Sequence, residues 1–539
     1  MKKINTLFIG ILSLMLIPLT SWGQRYLTET FPEVQVTSDL TYGVNATILL
    51  LPVVGQAIPE ALKFDFYEPK NDDETERPLV ILIHTGNFLP IQLNQSTTGA
   101  RTDSVNVEIA HRLAKLGYCV AAIDYRLGWN PTAETQPERA LGLIQAAYRG
   151  IQDTRTAIRY FKKDYVENEN SYGVDTSRIV FWGIGTGGYV SLAAATFDRF
   201  IEVATTTTPA GKFLTDLDGN PATLEPMVAP PYNGDIYGTS VGVTPPTGLP
   251  PLPANDTLCY PNHVGYSSAF QLCVNMGGAL ADISWLEDGD VPMITYQVPT
   301  DPYAPYESAV LIVPTTGDPI VEVQGGHQVA TKANDLGNND VFSGVDDAFP
   351  DFKVYTDGAK AGSASANHDY EEGLYPFIRA KNIYGQEEGD PWTWWDPAVW
   401  SAIAHPSGLG SFHQVGLFNN ADMSATKGRL YVDTIMGYFA PRAYLALNLT
   451  VGTEELLNDN QIQVNVSPNP APDFVLVESP AEHPIQSLQV YDFNGRLVQN
   501  LQNIRNNLVR VDRNGVPPGL YLVKLKFEEG VIAKKVVFK

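Results

Sequence analysis

Three rhythms of apolar and polar residues run along this chain. The first is an apolar run, Leu7 to Leu19, behind Lys2 and Lys3. About 13 apolar residues are too few for a comfortable bilayer span, but they match the core of a signal peptide. Ser21-Trp22-Gly23 places small residues at the two positions a signal peptidase reads. We expect residues 1–23 to be a signal peptide cleaved before Gln24, and no transmembrane segment in the mature chain.

The second rhythm fills residues 25–460. Leu62 to Tyr67 alternates and predicts a strand. Pro78 to His84 is a continuous apolar run, as in a strand buried on both faces. Asn106 to Leu116 has helical spacing, with Val107, Ala110, Leu113 and Ala114 on one side. Tyr118 to Ile123 predicts a strand, Ala140 to Phe161 a long helix, Arg178 to Trp182 a strand, and Gly187 to Ala195 a helix. Strands alternating with helices predict an α/β architecture, a mostly parallel sheet with helices on both faces. Residues 206 to about 280 begin with a Pro-, Gly- and Thr-rich stretch and read as a cap or insertion.

The third rhythm begins at Gln461. Short alternating strands, Phe474–Glu478, Ser487–Tyr491, Leu520–Lys526 and Ala533–Phe538, are separated by turn signals such as Asn494-Gly495 and Pro517-Pro518-Gly519. This predicts a small all-β sandwich over 461–539. Its charge also differs, at +2 against −28 for residues 25–460.

The whole chain has 539 residues, with 36 Lys+Arg against 60 Asp+Glu. That length exceeds one core, so two or three domains are expected. The acidic balance repels phosphate backbones, so no nucleic-acid partner is expected. Three cysteines exclude a disulfide scaffold and a Cys-rich metal protein. Export leads to an oxidising compartment, where Cys259 and Cys273, in a polar stretch containing Pro and Asn, are expected to pair. Cys119 sits in an apolar run and reads as a core thiol.

Ser467-Pro-Asn-Pro-Ala471, Asp492-Phe-Asn-Gly-Arg-Leu-Val498, Gly519-Leu-Tyr521 and the ending Lys534-Lys-Val-Val-Phe538 resemble the C-terminal sorting domain of type IX secretion in Bacteroidetes. The resemblance implies the type IX machinery as a partner, and release outside the cell or attachment to its surface. A second resemblance covers roughly residues 30 to 300. His84-Thr85-Gly86-Asn87-Phe88, Asp124-Tyr125-Arg126-Leu127 with Asp153-Thr-Arg155, and Gly183-Ile-Gly-Thr-Gly-Gly188 are similar to carboxylesterases of the α/β-hydrolase fold. That implies an oxyanion loop at Thr85 and Gly86 and a nucleophile elbow, Gly-x-Ser-x-Gly, around Gly185.

The serine is missing. Gly185 stands at the nucleophile position and offers no oxygen, so acyl transfer in its usual form cannot run there. Thr186, next in line, would need a shifted turn to replace it. The family order of nucleophile, acid, base makes Asp301 the candidate acid and His368 the candidate base, with His327, His405 and His413 as competitors. Pro391-Trp-Thr-Trp-Trp-Asp396 and Trp400 either line a cleft for an aromatic or sugar-bearing ligand or pack as a loop cluster.

No metal or other cofactor is expected. Asp216-Leu-Asp218-Gly219-Asn220 lacks the sixth-position Gly and twelfth-position Glu of an EF-hand. Gly183-x-Gly185-x-x-Gly188 fits a dinucleotide fingerprint, with Glu202 downstream, but lies outside the first βαβ unit and in an exported chain. Two functions remain open. One is a secreted ester hydrolase with an altered elbow. The other is a non-catalytic protein that binds a small-molecule or polymer ligand on the same scaffold.

Overall fold

The computed structural model describes residues 25–449 and 462–539, apart from 217–221, 250, 314–315, 382–384, 386, 493–496, 502–503, 514–515 and 528–529. The signal-peptide expectation falls outside these residues, as do Asn494-Gly495 and all of the EF-hand-like segment but Asp216. The chain divides into two compact units, Met1–Leu449 and Thr450–Lys539.

The first unit is organised by an eight-stranded sheet. Its strands are β1 (Val34–Thr47), β2 (Ile58–Pro69), β3 (Arg77–Ile83), β4 (Cys119–Ile123), β5 (Val174–Ile184), β6 (Leu272–Met276), β7 (Met293–Gln297) and β8 (Leu374–Pro376). They lie in the spatial order β1-β2-β4-β3-β5-β6-β7-β8. β1 and β2 pair antiparallel, as do β2 and β4, and every pair from β4 to β8 is parallel.

The unbroken apolar run of β3 has a simple cause. Leu79, Ile81 and Ile83 enter the core on one face, and Val80 and Leu82 enter the core on the other. The first face is covered by α2 (Gln136–Glu167) and α3 (Thr186–Thr196). The second is covered by α1 (Ser104–Leu116) and the helix Ala425–Ala446. The capping box at Thr135 and Glu138 starts α2, with both reciprocal hydrogen bonds in place.

The motif residues that join β4 to α2 meet in a buried ion pair. Arg126 and Asp153 are wholly enclosed and 2.9 Å apart. Asp153 also accepts a bond from the Arg126 backbone N–H. The guanidinium donates further to the carbonyls of Ala46 and Leu258 and to Gln152. Fixed acceptors offset the desolvation of the enclosed charge.

The expected Cys259–Cys273 disulfide is not formed; all three cysteines are buried thiols. Cys273 belongs to β6, in register with Phe181 of β5 and Met293 of β7. Cys259 ends a separate short strand, Thr257–Cys259, paired with Gly242. β6, a strand of the main sheet, falls inside the stretch of 206 to about 280 expected to be an insertion.

The second unit consists of a three-stranded and a four-stranded antiparallel sheet. Val475, Val477, Leu488, Val490, Val523, Leu525, Val536 and Phe538 from both sheets share one core. Among the described residues, no helix is long and apolar enough to cross a membrane.

Candidate active site

β5 ends at Ile184 and α3 begins at Thr186, leaving Gly185 alone to make the turn. Its backbone, at φ 54 and ψ −115, lies where L side chains are strained. The turn is pinned at both ends. The Gly185 N–H donates to the Met276 carbonyl at 2.7 Å, and the Gly188 N–H donates to the Gly185 carbonyl at 2.8 Å.

The loop after β3 closes over this turn. A Cβ placed on Gly185 would lie 2.8 Å from Thr85 Cβ and closer still to Thr85 Oγ1. The space for a side chain at Gly185 is therefore filled by Thr85. The backbone donors around it are also engaged. The Thr186 N–H donates to Thr85 Oγ1 at 3.4 Å, and the Asn87 N–H donates to Thr186 Oγ1 at 2.7 Å. Trp129 Nε1 donates to the Asn87 carbonyl at 2.7 Å, and Asn87 Nδ2 donates to Asn94 Oδ1. Asn87 and Phe88 both have positive φ, which this bracing sustains. Gly86 is folded against Gly99.

His84 braces the loop from behind. Its ring stacks on Tyr125 with centroids 4.6 Å apart, and Nδ1 donates to the Thr85 carbonyl. Burial holds its pKa below the ordinary range, opposed by Asp124.

Thr85, Gly185, Thr186 and Asp301 share the wall of a cavity of about 700 Å³. Asp301 accepts from the N–H groups of Tyr303 and Ala304. Burial raises its pKa to about 6, against the lowering effect of those bonds. Asp390, also in the wall, is raised by burial as well, and Arg379 stands nearby. Trp392 and Trp395 line the same cavity, while Trp394 packs against Gly428 in the core. From this polar end an apolar arm runs along α2, past Ile144, Ala147 and Ile151. A hairpin, Ser308–Ile312 paired with Pro319–Gln324, closes it with Leu311, Ile320 and Val323.

His368 is not brought to this wall. It stands beside Glu307 and His327 at another place in the unit. The histidine that lines the cavity is His405, and both its ring nitrogens have partners. Nδ1 accepts from the Ser407 N–H, and Nε2 donates to the Gln95 carbonyl. His413 Nδ1 accepts from Trp395 Nε1. The hydroxyl of Thr85, the apolar arm and the hairpin are features that sequence reasoning missed. The departure from glycine at position 85 was a local signal of the first alone.

A mostly parallel sheet with helices on both faces, a strand–turn–helix elbow and a loop folded over it define an α/β-hydrolase domain. Residues 64–213 match the model of the BD-FAE family, and residues 465–539 match that of the secretion system C-terminal sorting domain. The chain thus carries an esterase-like hydrolase domain of the BD-FAE kind followed by a type IX sorting domain, which directs it to the cell surface or the extracellular space. Among solved structures it is similar to esterase 2 of Thermogutta terrifontis phosphorylated by paraoxon, at 14% identity over 66% of this chain and 85% of that one, TM-score 0.27. It is also similar to a truncated carbohydrate esterase from gut microbiota, at 17% identity over 50% and 79%, TM-score 0.28. The esterase of the archaeon Pyrobaculum calidifontis matches at 20% identity over 32% and 41%, TM-score 0.20. No curated protein matches the chain in sequence.

Proposed function

We propose that the esterase-like domain binds an apolar acyl or aryl ligand outside the cell and does not hydrolyse it. The observation that carries this reading is the Thr85 side chain standing where a nucleophile at Gly185 would stand. Three parts of ester chemistry are affected together. Gly185 supplies no oxygen for attack. The N–H groups of Thr186 and Asn87, placed where an oxyanion would be held, already donate to the hydroxyls of Thr85 and Thr186. Among the described residues, the cavity-wall histidine, His405, has no ring nitrogen free to act as a base. What remains is a concave, largely apolar space with a few polar groups at one end, which suits ligand binding.

One observation favours hydrolysis instead. Thr186 Oγ1 faces the cavity and accepts from a backbone N–H that could steady an alkoxide. A fluorophosphonate probe followed by intact mass measurement separates the readings. The binding reading expects no adduct beside a labelled esterase control, together with saturable uptake of a fluorescent fatty acid. A stoichiometric adduct at Thr186 would reveal an activated nucleophile and overturn it.

A further inference from the structure

Away from the cavity, three side chains converge that neither the elbow nor the ligand pocket uses. Glu307 Oε1 lies 2.6 Å from His327 Nδ1 and 3.5 Å from His368 Nδ1. One potential ligand atom from each residue falls within 4.8 Å of the other two. The three come from separate segments, and each is placed by backbone hydrogen bonds rather than by its own side chain.

Glu307 and His327 bracket the hairpin that walls the cavity. The Gly325 N–H donates to the Glu307 carbonyl at 2.8 Å, and the His327 N–H donates to the Tyr306 carbonyl at 3.0 Å. This clasp needs glycine at 325, because a Cβ there would sit 2.5 Å from the Pro305 carbonyl carbon. His368 is set by the end of the helix Lys353–Ser365. Asn367 has φ +61, the Asn367 N–H donates to the Ala364 carbonyl, and the His368 N–H donates to the Ser363 carbonyl. That is the Schellman arrangement, and it projects the residue after the left-handed one at a fixed angle. Tyr306 then backs both imidazoles, with centroids 5.1 and 5.2 Å away, and the two imidazoles are 4.2 Å apart.

We propose that Glu307, His327 and His368 form a divalent transition-metal site, with Zn²⁺ as the ion their chemistry favours. Two imidazoles and one carboxylate are a donor set suited to zinc, and water would complete the tetrahedron. Tetrahedral bonds of about 2.0–2.1 Å put neighbouring ligand atoms roughly 3.3 Å apart. The Glu307–His368 spacing of 3.5 Å already fits. The tighter Glu307–His327 spacing opens by rotation of the glutamate, which is 40% exposed and free to turn. Occupancy would tie both ends of the hairpin to the helix end that carries His368. An ion here would therefore stiffen one wall of the ligand cavity without touching it.

The test uses the full mature chain without a histidine tag, stripped by a chelator and then titrated with Zn²⁺. We expect one Zn²⁺ per chain to survive gel filtration and to raise the Tm. Ca²⁺, which prefers all-oxygen sites, should do neither. The double variant H327Q/H368Q should keep the Tm of the stripped wild type and lose the Zn²⁺ response. Should that variant misfold, the visible d–d bands of the Co²⁺-loaded wild type decide instead. Intense tetrahedral bands support the site, and weak octahedral ones overturn it. Absence of retained Zn²⁺, or an unchanged Zn²⁺ response in the folded double variant, would also overturn it.

Discussion

Thr85 occupies the space into which a side chain at Gly185 would project, and its hydroxyl accepts from the N–H of Thr186. The two residues sit 100 positions apart in sequence, at the ends of adjacent strands, yet each makes sense only with the other. A glycine at 85 would leave a gap over the turn, and a serine at 185 would collide with the threonine. G185S alone should therefore destabilise the domain, by about 1–3 kcal/mol from crowding and backbone strain. Adding T85G should recover part of that loss. Urea unfolding of the single and double variants measures both. Neither variant should hydrolyse p-nitrophenyl esters, because a restored hydroxyl still meets no available imidazole.

The elbow was legible in the sequence because its motif is local: strand, glycine, helix, within a dozen residues. The unbroken apolar run of β3 and the helical spacing of α1 were legible for the same reason, since burial on both faces or on one leaves a local trace. The disulfide was misread because β6 is short and carries a polar residue. Asn275 sits inside it, with its amide spent on the turn at Gly278, so the stretch looked polar rather than strand-like. The partnership of Thr85 with Gly185, the apolar arm, and the meeting of Glu307, His327 and His368 depend on contacts across the fold. No periodicity records them.

The apolar arm should set the length of ligand the cavity accepts. Ala147 lies on α2 and lines that arm. A147W fills part of it and should weaken binding of a long-chain fatty acid about tenfold, a cost of roughly 1.4 kcal/mol. A short-chain ligand held at the polar end should lose little. Displacement of a fluorescent fatty acid by acids of increasing chain length reads this out. Equal losses for short and long chains would place the ligand elsewhere.

The buried pair of Arg126 and Asp153 should prove structural. D153A leaves the guanidinium enclosed without its counter-charge, which costs about 3–5 kcal/mol. Urea unfolding should show that loss in the first unit. Because neither residue lines the cavity, the folded fraction of D153A should still bind fatty acid with wild-type affinity. A loss of affinity without a loss of stability would make the pair part of the binding apparatus.

Asp301 should make binding depend on pH according to ligand charge. Its pKa is raised to about 6 by burial in the cavity wall. A raised carboxyl pKa means that the neutral acid prevails below pH 6 and the carboxylate above it. Asp390 is shifted in the same direction, and Arg379 supplies the opposing positive charge nearby. As pH rises through 6 the polar end gains negative charge, so a fatty-acid carboxylate should bind more weakly at pH 7.5 than at pH 5.5. The matching methyl ester, with no charge to repel, should bind equally at both. D301N keeps an oxygen for the N–H groups of Tyr303 and Ala304 while removing the titration, so it should flatten most of the fatty-acid profile and leave the residual slope to Asp390. If the methyl ester showed the same pH dependence as the acid, the effect would lie in the fold rather than in charge at the polar end of the cavity.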